Sequence, residues 1–204
     1  TKLFKDGVPY GSTGPRELYL KLVGVVREKE KGFGPPDFES WRLEQNQERA
    51  KNAAEKVQEL NAGICDVIFS RFRKEYGDEH YFDKGVTTKD LRTSAYTRMQ
   101  DDEIEQRGKI EEYLNLIEYK KIVEKAEHWP LFSDVFNIKL DDDKAGQAKY
   151  LRWMDKLNDV RKKTAHQAPG RIVSDAEAEF VEWIHQAFFE RASKNQNATM
   201  VKLG

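Results

Sequence analysis

The chain has 204 residues, 38% hydrophobic and 35% charged, enough for one sizeable core or one core with a helical extension, and too few for two average-sized domains. With 35 Lys and Arg against 36 Asp and Glu, the formal net charge is -1, which excludes attraction of the whole molecule to nucleic acid and confines any such binding to a local patch. The longest apolar stretches, such as Gly63 to Phe69, fall far short of the roughly 20 residues a bilayer core requires, no secretory signal precedes them, and the cytoplasm is the expected compartment.

Residues 1–14 carry Gly7, Pro9, Gly11 and Gly14 without apolar periodicity and read as a flexible arm. Pro15 suits the first position of a helix whose stripe is Leu18, Leu22, Val25 and Val26, closed by the breaker Gly32-Phe33-Gly34-Pro35-Pro36. From Asp37 to about Tyr76 no proline intervenes, and Ala50, Ala53, Val57, Leu60, Ile64, Val67 and Ile68 recur at steps of three or four. One long helix is predicted. At 1.5 Å per residue it would reach roughly 60 Å, more than a compact domain needs, so a kink is expected near Asn61-Ala62-Gly63. Cys65, the only cysteine, sits among the apolar residues of this helix; it excludes an internal disulfide framework and a cysteine-based zinc site, and its neighbours predict burial. Gly77 to Gly85 reads as a loop.

Thr88 is the expected N-cap of a helix reaching about Glu105, and Ile110, Leu114, Ile117 and Ile122 predict more helix before His128-Trp129-Pro130, with Gly108 as the divider. Leu131, Val135 and Phe136 form a short apolar turn or helix. The triplet Asp141 to Asp143 fits the N-terminus of a helix from about Ala145 to Ala165, marked by Tyr150, Trp153, Met154, Leu157 and Val160; that reading is preferred to a metal site because no motif ties a histidine or further carboxylate to it. Pro169-Gly170 ends this helix. Ser174-Asp175-Ala176-Glu177 is a capping-box pattern ahead of the stripe Phe180, Ile184, Ala187 and Phe188, and residues 195–204 form a polar tail expected to fray. The predicted fold class is all-α, a helical bundle with one long helix, divided into an N-terminal helical region over 15–87 and a helical domain over 88–194.

Charge is segregated along the chain. Between Leu151 and Arg171, Arg152, Lys156, Arg161, Lys162, Lys163 and Arg171 outnumber Asp155 and Asp159, and Arg152, Lys162, Lys163 and Arg171 are the expected nucleic-acid contacts. Arg161 lies seven positions and only about 20° from Met154, so it continues the apolar stripe. It could pair with a carboxylate, extend to the edge of the core, or line a cleft or subunit interface that holds an anion. His166 follows after four residues, where Pro169 requires the helix to stop. In an unbroken helix the two would stand about 140° apart; a helix end or a partner subunit removes that separation. Arginine holds a phosphate in a two-pronged geometry and histidine moves a proton, which together suffice for transesterification by an RNA 2′-hydroxyl with no metal and no cofactor.

The run Leu157-Asn158-Asp159-Val160-Arg161-Lys162-Lys163-Thr164-Ala165-His166, followed by a Pro-Gly break and a capped amphipathic helix, resembles the signature region of the HEPN superfamily. Ile110 to Val123, and Trp129-Pro130-Leu131-Phe132 with Val135-Phe136, resemble the helices that precede it in some members. The likeness covers about Gln106 to Ala192. It implies that Arg161 and His166 occupy the family's Arg and His positions, that the cleft forms where two copies meet across a two-fold axis, and that RNA is the substrate. Lys162 departs from the pattern: active members commonly carry Asn, Asp or His there, and lysine cannot accept a hydrogen bond. Members often belong to toxin, antiviral or phage-defence proteins with other domains, and a chain opening on Thr1 is expected to be a piece of such a parent protein. The alternative is a non-catalytic HEPN-fold dimerisation or protein-interaction domain. Nucleotide sensing or transfer lacks a Gly-rich phosphate loop. His80 reads as part of a surface cluster, His128 as a helix-end or core-edge group, His185 as the margin of a packed face, and Trp41, Trp153 and Trp183 as core.

Overall fold

The computed structural model describes residues 4–5, 8–9, 15–30, 33–34, 38–165 and 172–201. The chain is all-α apart from one two-residue antiparallel pair, β1 (Phe4–Lys5) with β2 (Val8–Pro9), in the segment expected to be an arm. It divides into two compact units, residues 1–49 and 50–204, with the boundary inside a helix. Among the described residues no helix is long and apolar enough to cross a membrane.

In the first unit, α1 (Pro15–Lys29) starts at its proline, whose missing N–H costs nothing at a first helical position. It packs Leu20 and Val23 against Phe38, with Trp41 alongside, on the opening turns of α2 (Phe38–Tyr76). The Arg27 guanidinium lies 5.2 Å from the Phe38 ring centroid and pairs with Glu39.

Helix α2 runs unbroken for 39 residues, so the predicted helix is present without an interruption at Asn61-Ala62-Gly63. Gly63 serves packing: a Cβ there would stand 2.8 Å from the Phe189 ring and 3.3 Å from that of Phe188. The missing side chain admits two phenylalanines of the last helix. Beyond Arg49, Val57, Leu60, Ile64, Ile68, Phe69 and Phe72 lie on one face and enter a core shared with every later helix, and Cys65 is buried there. Gly77, at φ 78°, closes α2 by donating to the Arg73 carbonyl at 2.9 Å.

The segment expected as a loop holds a short helix, α3 (Tyr81–Gly85), because Phe82 stacks on Phe69 at 6.0 Å and anchors it to the core. Helix α4 (Lys89–Asp101) begins after Thr88 as predicted, although the Thr88 hydroxyl makes no capping bond. It stops four residues before Glu105. Asp102 to Leu114 contains only two 3-10 turns, Ile104–Gln106 and Ile110–Tyr113, and its polar groups are met by side chains. Arg107 donates to the carbonyls of Asp102 and Gln100 at 3.1 and 3.3 Å, and Arg98 donates to that of Tyr113 at 2.6 Å. The buried Glu111 carboxylate pairs with Arg73 and accepts from the Tyr81 hydroxyl at 2.7 Å. Two-pronged Arg98–Glu118 bonds of 2.7 and 2.9 Å and an Asn115 capping box then start α5 (Leu116–Val123).

Helix α6 (Trp129–Phe136) places Phe132, Val135 and Phe136 in the core. The next helix, α7 (Arg152–Ala165), starts seven residues later than expected, since Gly146 at φ 81° breaks any helix through that position. Asp141 to Asp143 therefore caps no helix: Asp143 accepts from the Leu140 N–H at 2.8 Å and closes a turn. Helix α8 (Asp175–Val201) continues past Ala192 into the segment expected to fray.

Gly85 tests how tightly the core grips α3, because a Cβ there would fall 2.2 Å from Phe72. Gly85→Ala is expected to cost about 2 kcal/mol by overpacking. Urea denaturation measures it, and an unchanged midpoint would show that Phe72 moves aside freely.

Candidate functional site

Helix α7 is held from one side by its apolar face. Trp153, Met154, Leu157 and Val160 are buried, and the Trp153 indole N–H donates to the Phe136 carbonyl at 3.1 Å. These contacts fix the axial rotation of α7 and therefore which of its cations reach solvent.

Arg152, at the first residue of α7, is bound by the acidic triplet: its Nε lies 2.9 Å from Asp143 Oδ1, and its Nη2 pairs with Asp142. It stands nine residues, roughly 13 Å along the helix axis, from Arg161, so the two do not form one cluster. Lys162 reaches Asp159 at 3.2 Å and Lys163 reaches Glu177 of α8 at 2.5 Å. Three of the expected nucleic-acid contacts, Arg152, Lys162 and Lys163, thus have carboxylate partners. Arg161 is different. It is half-buried one turn before the end of α7, its Nε stands 3.5 Å from the Asn158 amide oxygen, and no carboxylate lies within ion-pair distance of it among the described residues. His166 and Arg171 lie outside the described residues.

Asn158, buried at 6% exposure, is a contributor the sequence reading passed over; its place three residues before Arg161, on the same helix face, was the available signal. Lys156 has no carboxylate within ion-pair distance among the described residues either, and its ammonium lies 5.1 Å from the Phe180 ring centroid. Lys156, Asp159, Val160, Ala176, Glu177 and Phe180 line an open groove of about 280 Å³ between α7 and α8. Arg161 is not in its lining.

The start of α8 is built as predicted. The Ser174 N–H and hydroxyl both reach Glu177 Oε2 at 3.0 Å, and the Glu177 N–H donates to Ser174 Oγ at 3.3 Å. Burial acts to raise the Glu177 pKa, but Lys163 and Ser174 outweigh it and hold the carboxyl below its ordinary value of 4.5.

The remaining histidines and tryptophans have structural settings. His128 is buried with Nδ1 2.9 Å from the Ile122 carbonyl, and His185 meets Glu59 at 2.7 Å on the margin of the packed face of α8. His80 is exposed ahead of α3. Trp153 is core and Trp41 packs beside Phe38, but Trp183 is 46% exposed, a correction to its expected burial. It lies one position before Ile184, which takes the core-facing direction; one step of about 100° turns the indole outward. Among the described residues no group of three His, Cys, Asp or Glu side chains is gathered for a metal ion. Comparison with family models, curated proteins and solved structures returned no match.

Because the folded pKa of Glu177 is depressed, its contribution to stability is complete above the ordinary carboxylate range and is lost as pH falls through the lower folded value. Glu177→Gln is expected to cost about 1 kcal/mol at neutral pH through the cap and the Lys163 pair. Denaturation at a series of pH values should show the difference from wild type shrinking below pH 4.5, and a difference constant with pH would mean the charge plays no part.

Proposed function

We propose that this chain is a HEPN-like module that binds RNA and cleaves it without a metal ion, in a cleft assembled where two copies meet. The observation that carries the reading is Arg161: near the C-terminal end of α7, it has no carboxylate within ion-pair distance among the described residues, while Lys162 and Lys163 are held by Asp159 and Glu177. A half-buried guanidinium with only an amide oxygen beside it retains donors for the two non-bridging oxygens of a phosphate.

In this reading the RNA 2′-oxygen attacks the adjacent phosphorus and loses its proton to His166 or to the matching histidine of the second copy. The P–O5′ bond breaks as a 2′,3′-cyclic phosphate forms, and an imidazolium returns a proton to the leaving 5′-oxygen. Arg161 offsets the charge that accumulates on the phosphorane. Asn158 orients Arg161. A toxin or phage-defence protein of the cytoplasm, with other domains in the same parent chain, is the setting that fits.

A second reading, a non-catalytic HEPN-fold dimerisation or protein-interaction domain, is favoured by the pairing of Arg152, Lys162 and Lys163 with acids, which leaves little of the basic patch for a phosphate backbone. Purified protein incubated with RNA in chelator separates the two. Cleavage by wild type is expected, with losses of about 10² to 10⁴ in rate for His166→Ala and a comparable loss for Arg161→Ala. Undiminished cutting by His166→Ala would remove the mechanism, and intact RNA with wild type would leave the interaction reading.

A further inference from the structure

The apolar stripe of α7 changes character at its end. Trp153, Leu157 and Val160 are buried at steps of four and three, and the next position in that rhythm is Thr164, only about 20° around the helix from Leu157. Arg161 continues the stripe from Met154 in the same way. Two polar side chains therefore stand where the spacing calls for apolar ones, both half-buried and three residues apart, so that they share one helix face.

Their hydrogen-bonding capacities are opposite. The Arg161 guanidinium has donors only. The Thr164 hydroxyl donates its one hydrogen to the Arg161 carbonyl at 3.0 Å, which leaves its oxygen as an acceptor and fixes where that oxygen sits. A fork of donors beside a fixed acceptor matches a phosphodiester beside a hydroxyl. A ribonucleotide offers that pair of groups and a deoxyribonucleotide does not, because DNA lacks the 2′-hydroxyl. Lys162 and Lys163 cannot supply the acceptor: an ammonium only donates, and theirs are bound to Asp159 and Glu177.

We propose that Thr164 is a specificity-determining residue: its oxygen accepts a hydrogen bond from a ribose 2′-hydroxyl beside the phosphate held by Arg161, and so discriminates RNA from DNA. The inference rests on the RNA-binding reading above. The hydroxyl that Thr164 reads belongs to a nucleotide next to the one that is cut, since the attacking 2′-oxygen gives its proton to histidine. Binding tests it, measured by fluorescence anisotropy in chelator on the full chain carrying His166→Ala, with single-stranded RNA and DNA oligonucleotides of one mixed sequence and circular dichroism to verify folding. Thr164→Val has the same shape without the hydroxyl and is expected to lose about fivefold in affinity for RNA, the worth of one net hydrogen bond, and nothing for DNA. Thr164→Ser keeps the hydroxyl and should keep the preference for RNA. Arg161→Ala should weaken both nucleic acids alike, because both carry the phosphate. An equal loss on RNA and DNA from Thr164→Val, or no loss on RNA, would overturn the role of Thr164 while leaving RNA binding through Arg161 in place. A parent chain that binds no RNA at all would instead remove the RNA reading, and this inference with it.

Discussion

A chain of aromatic rings across the second unit is the contact on which the rest of its structure depends. Phe72 meets Phe132 edge-on at 5.3 Å, Phe132 meets Phe136 at 5.8 Å, Phe136 stacks on Trp153 at 6.3 Å, and Phe188 touches both Phe136 and Trp153. These rings come from α2, α6, α7 and α8, so one interaction type joins four helices that are distant in sequence. Each pair adds about 0.5 to 1.5 kcal/mol beyond the apolar area it covers. Gly63 extends the same contact by letting Phe188 and Phe189 come against the α2 backbone. The axial rotation of α7 is a consequence of where Trp153 must sit, and the exposure of its cations follows from that rotation.

The charges are arranged around this core so that the irregular backbone is satisfied. Asp102 to Leu114 cannot supply its own helical bonds, and Arg73, Arg98 and Arg107 complete it through Glu111, Glu118 and main-chain carbonyls. Burying an ion pair is expensive unless its remaining donors and acceptors find partners, and here Tyr81 and Asn115 provide them. The same economy of pairing reaches α7, where Arg152, Lys162 and Lys163 are drawn to local acids. What distinguishes Arg161 is its position: it continues the apolar stripe, its Nε stands 3.5 Å from the Asn158 amide oxygen, and no carboxylate lies within ion-pair distance among the described residues.

The first unit follows a different logic. Its helix α1 turns Leu20 and Val23 toward Phe38 and leaves Tyr19, Leu22, Val25 and Val26 exposed.

Several features were settled by the order of residues alone. The all-α class, the start of α1 at Pro15, the unbroken apolar spacing of α2 and the Ser174–Glu177 capping box depend on neighbours within four positions, and local periodicity encodes such features directly. Periodicity names an apolar stripe without naming its partner. Leu22, Val25 and Val26 were legible as a stripe, and only the folded chain shows that they face outward while Leu20 and Val23 face in. That Gly63 is a contact site was not legible, because its partners Phe188 and Phe189 come more than 120 residues later. Arg152, Lys162 and Lys163 formed a basic patch in the sequence and are ion-paired in the structure, since long side chains find carboxylates by proximity in space. The tertiary structure decided which charges remain for a ligand. Electrostatic pairing acts across the distances that folding closes, and packing of the rings decides which distances those are.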